Sequence, residues 1–325
     1  MPSDTTAATS VSPPAPRTDY MKKIICIGEC SLNLVLDAAG KPLGSLAGGR
    51  IANAAAIMAR DGLKVLMASE TCADRIGDIL VGNLRDAGVD VTSVDRFTEG
   101  RTPLNVFVHS ADSARPSPVL TRYEGYPDDA FDIIWPRIDE GDIVVFGGYY
   151  ALDKRMRTRL TRLLANAVDR KALMVYLPGY LPQQESRITR VMPQILENLE
   201  MAHIVVTRNR DLELIFGIKT PDACYHDHID FYCRSLVNID DTCRRISYYT
   251  GKEVSSVEIP ERVCRTLAWN AGAVAGLVAE IALRNLDAAA FDAPGGDLRE
   301  ALLGAAARSA MVAAQSLTEQ WQSIE

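Results

Sequence analysis

Ile24-Ile25-Cys26-Ile27-Gly28 is a short apolar run that ends in glycine, which predicts a buried strand closing on a turn. A polar stretch with Gly40, Pro42, Gly44, Gly48 and Gly49 follows. Residues 53–60 are mostly alanine and aliphatic, so they predict a tightly packed helix closed by Gly62, and residues 65–68 predict the next strand. The alternation recurs downstream: helix 79–86, strand 143–146, helix 154–168, strand 173–177, helix 185–199, strand 204–206. Short apolar strands alternating with amphipathic helices imply βαβ units. The predicted fold is therefore α/β, with a mainly parallel sheet flanked by helices. Such sheets bind ligands beyond the carboxyl ends of their strands.

Two segments break the pattern. Residues 102–109 and 119–123 alternate apolar and polar side chains, which predicts a hairpin exposed on one face, suited to a lid or a dimer surface. The chain closes with two long predicted helices, 270–284 and 298–322, joined through Pro294, Gly295 and Gly296. Residues 1–21 are rich in Pro, Ser, Thr and Ala and predict a disordered extension. Met21-Lys22-Lys23 runs straight into the first strand, which marks Met21 as an alternative start. Residues 22–322 are expected to form the folded domain.

With 325 residues, 47% hydrophobic and 24% charged, the chain can bury a large core. A formal charge of -7 provides no broad basic surface, which argues against nucleic acid and anionic membranes as partners. No apolar run approaches the ~18 residues of a membrane span. The seven cysteines are scattered without a C-x-x-C pair, so they read as reduced thiols in a cytoplasmic protein.

Four stretches, in order across residues 22–322, resemble the ribokinase/PfkB family of carbohydrate kinases. Gly28-Glu29-Cys30-Ser31-Leu32-Asn33 is similar to that family's opening strand and turn, with Asn33 where an aspartate usually binds sugar hydroxyls. Gly48-Gly49-Arg50-Ile51-Ala52-Asn53-Ala54-Ala55 resembles its G-G-x-x-x-N-x-A signature. A glycine pair lets backbone approach a sugar closely, and Asn53 offers donor and acceptor. The same residues would also serve as a helix-leading turn with Asn53 as its cap. Val175-Tyr176-Leu177-Pro178-Gly179-Tyr180-Leu181-Pro182 resembles D-P-N-x-R-P with its polar residues lost. Val205-Val206-Thr207-Arg208-Asn209 resembles the strand leading to N-x-x-E. Asn209 is retained as a candidate nucleotide contact, but Leu212 stands at the glutamate position and Glu213 one residue beyond, where a register slip would restore it. The resemblance implies a ribokinase-like sheet with a small β lid formed by about residues 30–45 and 97–125. It also implies ATP and magnesium as cofactors, a sugar or nucleoside substrate bound by Asn33, Gly48, Gly49 and Asn53, and a homodimer through the lid.

The family's catalytic motif, D-T-x-G-A-G-D-x-x-x-x-G-L, aligns without gaps on residues 265–277 and matches Thr266, Gly276 and Leu277. In active members the glycines expose N–H groups that hold the transferring phosphoryl group, and the last aspartate accepts the sugar hydroxyl's proton. Here Ala268, Trp269 and Asn270 occupy the turn and Ala271 the base position, so no catalytic residue of the motif is intact. The stretch reads instead as a buried Ala-rich helix with a capped start. Residues 223–238, where the family places a helix and an apolar strand of the adenine site, show neither pattern.

Other constellations carry less. His226-Asp227-His228 with Asp230 has i, i+2 spacing, which splits the imidazoles between helix faces, so no metal site is expected. Asp297 after Gly295-Gly296 reads as a helix cap. His109 and His203 read as structural. The expected function is a sugar-binding or regulatory pseudokinase. The alternative is an active sugar or nucleoside kinase whose base has moved, with residues 227–241 as the candidate source.

Overall fold

Strand β1 (Ile24–Ile27) alternates between two cores, Ile24 and Cys26 facing one and Ile25 and Ile27 the other. A fully buried strand of this kind needs neighbours on both edges and helices on both faces, and the remaining elements supply them. The computed structural model describes residues 22–108, 117–122, 135–180, 182, 185–240, 242–264 and 266–322. The expectations for residues 1–21, His109, Leu181 and Asp241 lie outside these.

After β1 come β2 (Ser31–Leu36), β3 (Pro42–Gly48), α1 (Arg50–Arg60), β4 (Val65–Cys72), α2 (Arg75–Asp86), β5 (Asp90–Phe97), β6 (Leu104–Val108), β7 (Ser117–Arg122) and β8 (Ile143–Gly148). Then follow α3 (Lys154–Asp169), β9 (Leu173–Pro178), α4 (Met192–Met201), β10 (Ile204–Arg208), α5 (Asn209–Phe216), α6 (Pro221–Cys224), β11 (Leu236–Asp240), β12 (Arg245–Thr250), β13 (Glu253–Glu258), α7 (Glu261–Cys264), α8 (Trp269–Leu283) and α9 (Gly296–Gln322).

The main sheet has nine strands in the order β13-β12-β11-β10-β9-β8-β1-β4-β5. From β11 to β5 all pairings are parallel, while β11/β12 and β12/β13 are antiparallel. One face packs on α1, α2, α8 and α9, the other on α3, α4 and α5. A second, four-stranded sheet has the order β3-β2-β6-β7. Its β6/β7 pair is the antiparallel hairpin that the alternation predicted.

Several boundaries differ from the sequence reading for identifiable reasons. Helix α1 starts at Arg50 because Gly49, at φ 96°, forms the turn into it, a conformation that costs glycine little. Asn53 therefore lies within the helix rather than capping it. Helix α4 is shorter than expected because Pro193 sits in its first turn, where it cannot extend a helix upstream. Residues 223–238 do carry the missing strand. A π-helical turn, Tyr225–Ile229, precedes β11, whose five residues are all buried. Asn238 disguised it, a polar residue satisfied inside the sheet by Thr207 and Asn209. Strands β5 and β13 were also unforeseen; they are the polar edges of the sheet, where charged residues guard against unwanted pairing. Helix α9 begins at Gly296, so Asp297 sits in its first turn instead of capping it.

Helices α8 and α9 cross closely. A methyl on Gly272 would press on Ser309 O and Ala310 Cα at 2.8 and 2.9 Å, and one on Gly276 would collide with Ala305 O. All seven cysteines are free thiols. Among the described residues no helix is long and apolar enough to cross a membrane.

Candidate functional site

The chain leaves the main sheet through Gly28-Glu29-Cys30, crosses the small sheet in β2 and β3, and returns through Gly48-Gly49 into α1. This path brings the predicted sugar-site residues together. Ser31 pairs with Gly48, and Asn33 with Leu46 on one side and Asn105 on the other. A methyl on Gly48 would collide with Ser31 Oγ and approach Asn33 Oδ1, so only glycine fits over that polar pair. Asn105 Nδ2 donates to Asn33 Oδ1 at 2.9 Å and to Ser31 Oγ at 3.1 Å. Asn53 Nδ2 donates to Ala47 O at 2.9 Å, which ties the first turn of α1 to the end of β3. At Gly49 a side chain would meet Glu29 O.

Beside this cradle, at the carboxyl ends of β1, β8, β9 and β10, lies a charged group that sequence reasoning missed. Asp211, 2% exposed, is shared by two guanidinium groups: Arg50 Nη1 lies 3.2 Å from Oδ2, and Arg208 Nε donates to Oδ2 at 2.9 Å while its Nη2 reaches Oδ1. Arg50 Nη2 also donates to Pro178 O at 3.2 Å. Burial opposes the ionisation of Asp211, yet Arg208 and Arg50 hold its carboxyl below the usual range. Burial draws Arg50 down to about 10 against the pull of Asp211, which leaves it charged at neutral pH. The Glu29 carboxylate packs over Gly148, where a methyl would strike it, and accepts from Tyr150 N–H at 3.4 Å. Burial pushes its carboxyl above the ordinary range, against backbone donors and the two arginines. The available signals were the arginine directly after the glycine pair and the Arg208/Asp211 spacing of three.

The catalytic-motif stretch forms no glycine turn. Ala268 has ordinary helical dihedrals, φ -85° and ψ -23°, and no side chain caps α8, which corrects the expected capped start: Thr266 Oγ1 donates back to Val263 O instead. Trp269 is wholly buried in the main core, and Ala271 is 3% exposed. Asn270 Oδ1 is enclosed without a partner. Gly276, one of the motif matches, serves the α8/α9 crossing.

Asn209, which the resemblance assigned to a nucleotide, accepts at Oδ1 from Asn238 Nδ2 at 2.6 Å, so it is engaged between α5 and β11. Leu212 is fully buried, while Glu213 is exposed with Lys219 Nζ at 3.8 Å. Among residues 227–240, Asp227 is exposed, Asp230 accepts from Tyr225 OH at 2.9 Å, and Asp240 Oδ1 holds the N–H groups of Thr242 and Cys243. These carboxylates are occupied in local structure or face solvent. His228 stacks on Phe216, and His203 Nδ1 accepts from Met174 N–H at 3.0 Å. Among the described residues no three His, Cys, Asp or Glu side chains are grouped to hold a metal ion.

Comparison with known proteins places this geometry. Residues 21–228 match the model of the pfkB family carbohydrate kinase. A fructokinase from Vibrio cholerae O395, solved with fructose, ADP and calcium ion, superposes with a TM-score of 0.72 at 15% identity, over 93% of this chain and 99% of that one. Aminoimidazole riboside kinase from Salmonella enterica, complexed with aminoimidazole riboside and an ATP analog, gives 0.70 at 17% identity over 93% and 99%. A fructokinase from Xylella fastidiosa with bound ATP gives 0.66 at 18% over 92% and 94%. No curated protein sequence matches. The ordered motifs, the parallel sheet with its small second sheet, and a family match over well more than half of its length agree: this chain belongs to the pfkB family of carbohydrate kinases.

Proposed function

We propose that this protein binds a sugar or nucleoside in the cradle of Asn33, Gly48, Gly49 and Asn53, beneath the small sheet as its lid, and has strongly reduced or lost phosphoryl transfer. It acts on this reading as a sugar-binding or regulatory pseudokinase in the cytoplasm, with the outer face of the lid available to a second copy. The observation that carries it is Trp269, wholly buried in the core at the glycine-turn position, with buried Ala271 two residues on at the base position. Losing a positioned base costs about 10²- to 10⁴-fold in rate, and a lost anion-hole donor about 10²- to 10³-fold. ATP with magnesium does not fit the residues present: buried Trp269 fills the glycine position of the turn that would cradle phosphate, and buried Leu212 stands at the position of the carboxylate that would organise the ion.

A titration of ATP by calorimetry, with and without sugars and nucleosides, followed by a turnover assay, tests the reading. Sugar binding with turnover at least about 10²-fold below an intact member supports it; robust turnover sinks it. One observation favours a second reading, an active kinase with a relocated base. Glu29 is a half-buried carboxylate with a raised pKa beside the cradle, the property a general base needs. Under that reading turnover is robust in the native chain and collapses in Glu29→Gln.

A further inference from the structure

We propose that Asn105 fixes the hydrogen-bond polarity of the cradle, turning the Asn33 amide toward the ligand as a donor, and that the ligand is a neutral sugar with a carbonyl at that point, of the sugar-lactone class. The inference rests on the sugar-binding reading above and adds the ligand class and the residue that selects it.

The hydrogen bonds of the amide pair are the first argument. Asn33 and Asn105 are register partners in the parallel β2/β6 pair, so their side chains share one face of the small sheet. Asn105 Nδ2 donates to Asn33 Oδ1 at 2.9 Å and to Ser31 Oγ at 3.1 Å. An amide nitrogen carries two N–H groups, and both are spent. Asn33 is half-buried; among the described residues no group accepts from its Nδ2, and that atom is not enclosed. The group of Asn33 left for a ligand is therefore its NH₂.

Closure around the oxygen is the second. A methyl on Gly48 would lie 2.5 Å from Asn33 Oδ1 and closer still to Ser31 Oγ. The Gly48 Cα–H in the methyl's place thus points at both oxygens, a contact that suits an oxygen and opposes an N–H group. Turning the Asn33 amide alone would set its NH₂ against that of Asn105, two donors with no acceptor between them. Turning both amides would satisfy the pair but would place the Asn33 NH₂ against the Gly48 Cα–H. The observed orientation leaves every facing pair complementary.

The ligand class follows from the polarity. A sugar hydroxyl that accepts from Asn33 must send its own proton elsewhere, whereas a carbonyl oxygen accepts with no proton to place. Where an aspartate would receive hydroxyl protons at this position, the Asn33 amide supplies one. Asn105 Oδ1, which has no donor among the described residues, is left as the acceptor for a neighbouring hydroxyl.

The test is calorimetric titration of the full chain with two matched pairs of neutral ligands that differ in one carbonyl: freshly dissolved D-ribono-1,4-lactone against 1,4-anhydro-D-ribitol, and D-galactono-1,4-lactone against 1,4-anhydro-D-galactitol. At least one lactone is expected to bind about 5-fold or more tightly than its partner, the worth of one hydrogen bond in a partly buried site. Asn105→Asp puts an acceptor where Asn33 now meets a donor, so Asn33 turns its NH₂ inward and its oxygen outward, and the lactone advantage should vanish or reverse. Asn33→Asp keeps Asn105 as donor but presents only an acceptor to the ligand, so it should remove the advantage too, and it decides the matter if the first variant does not fold. A purely structural role for Asn105 would weaken both members of a pair alike. Lactones that bind no more tightly than their partners, or an advantage that survives the variants, overturn the inference while leaving sugar binding intact. If none of the four ligands binds, the sugar-site reading itself fails.

Discussion

Arg50 Nη1 stands 3.2 Å from Asp211 Oδ2 and so joins the first turn of α1 to the first turn of α5 across the strand ends of the main sheet. The contact spans 161 residues of sequence, and its acid is almost fully enclosed. Breaking a buried pair by removing one partner leaves an uncompensated charge, at a cost of about 3–5 kcal/mol. Asp211→Asn should therefore lose about 3 kcal/mol or more at neutral pH in urea unfolding. Its folded-state carboxyl lies below the ordinary value, so its contribution is present above the unfolded pKa and lost as pH falls through the folded one. The gap between native and variant should close in acid; a constant gap would assign the loss to packing.

Glu70 should make stability fall as pH rises. Its side chain is 1% exposed, neither carboxylate oxygen has a hydrogen-bond partner, and Arg155 Nη2 lies 3.8 Å away. Burial raises its pKa from 4.5 to about 7, with Arg155 opposing and Asp153 and Asp95 adding to the rise. Between those values the folded state binds the extra proton, so stability declines across that window by about 3 kcal/mol at 1.36 kcal/mol per pKa unit. Glu70→Gln should flatten this segment of the curve and melt above the native chain on its alkaline side. An unchanged slope would mean that another group titrates there.

Glycines of this chain should divide by what surrounds them. Gly276→Val, placed against Ala305 O and Ser309 Cβ, should cost about 1–3 kcal/mol or more through overpacking at the α8/α9 crossing. Gly82 lies inside α2 with nothing within 4 Å of an added methyl, so Gly82→Ala should gain about 0.5–1 kcal/mol. Chemical denaturation of both variants reads the contrast directly.

Ala271→Asp restores the family's base in sequence, yet the residue is 3% exposed on a helix packed against α1 and α9. A carboxylate placed there lacks a partner, so the variant should lose about 3 kcal/mol and gain no turnover. A variant that melts like the native chain and phosphorylates a sugar would show that the helix start rearranges to form an active turn.

The fold was legible wherever apolar runs were short and bounded. Ile24 to Ile27 and the glycine pair announced the sheet and its return helix because their patterns depend on local geometry alone. Strand β11 was not legible, since Asn238 looks polar in sequence and is satisfied by Thr207 and Asn209, residues about 30 positions away. The cradle was legible for a related reason: Asn33, Gly48 and Asn53 lie on one continuous stretch of chain. The Arg50, Asp211 and Arg208 group was not, because its meaning comes from a meeting of α1 with α5 that no local window contains.

Trp269 also sets the route by which this chain could change. Its indole fills the junction of α8 with the main core, so replacing it with glycine removes a large part of that packing, at about 3–5 kcal/mol for a buried tryptophan cut to alanine. An anion-binding turn would need further glycines on both sides before it formed. Each intermediate would carry an unfilled void, so a route to a glycine turn at this position passes through less stable proteins.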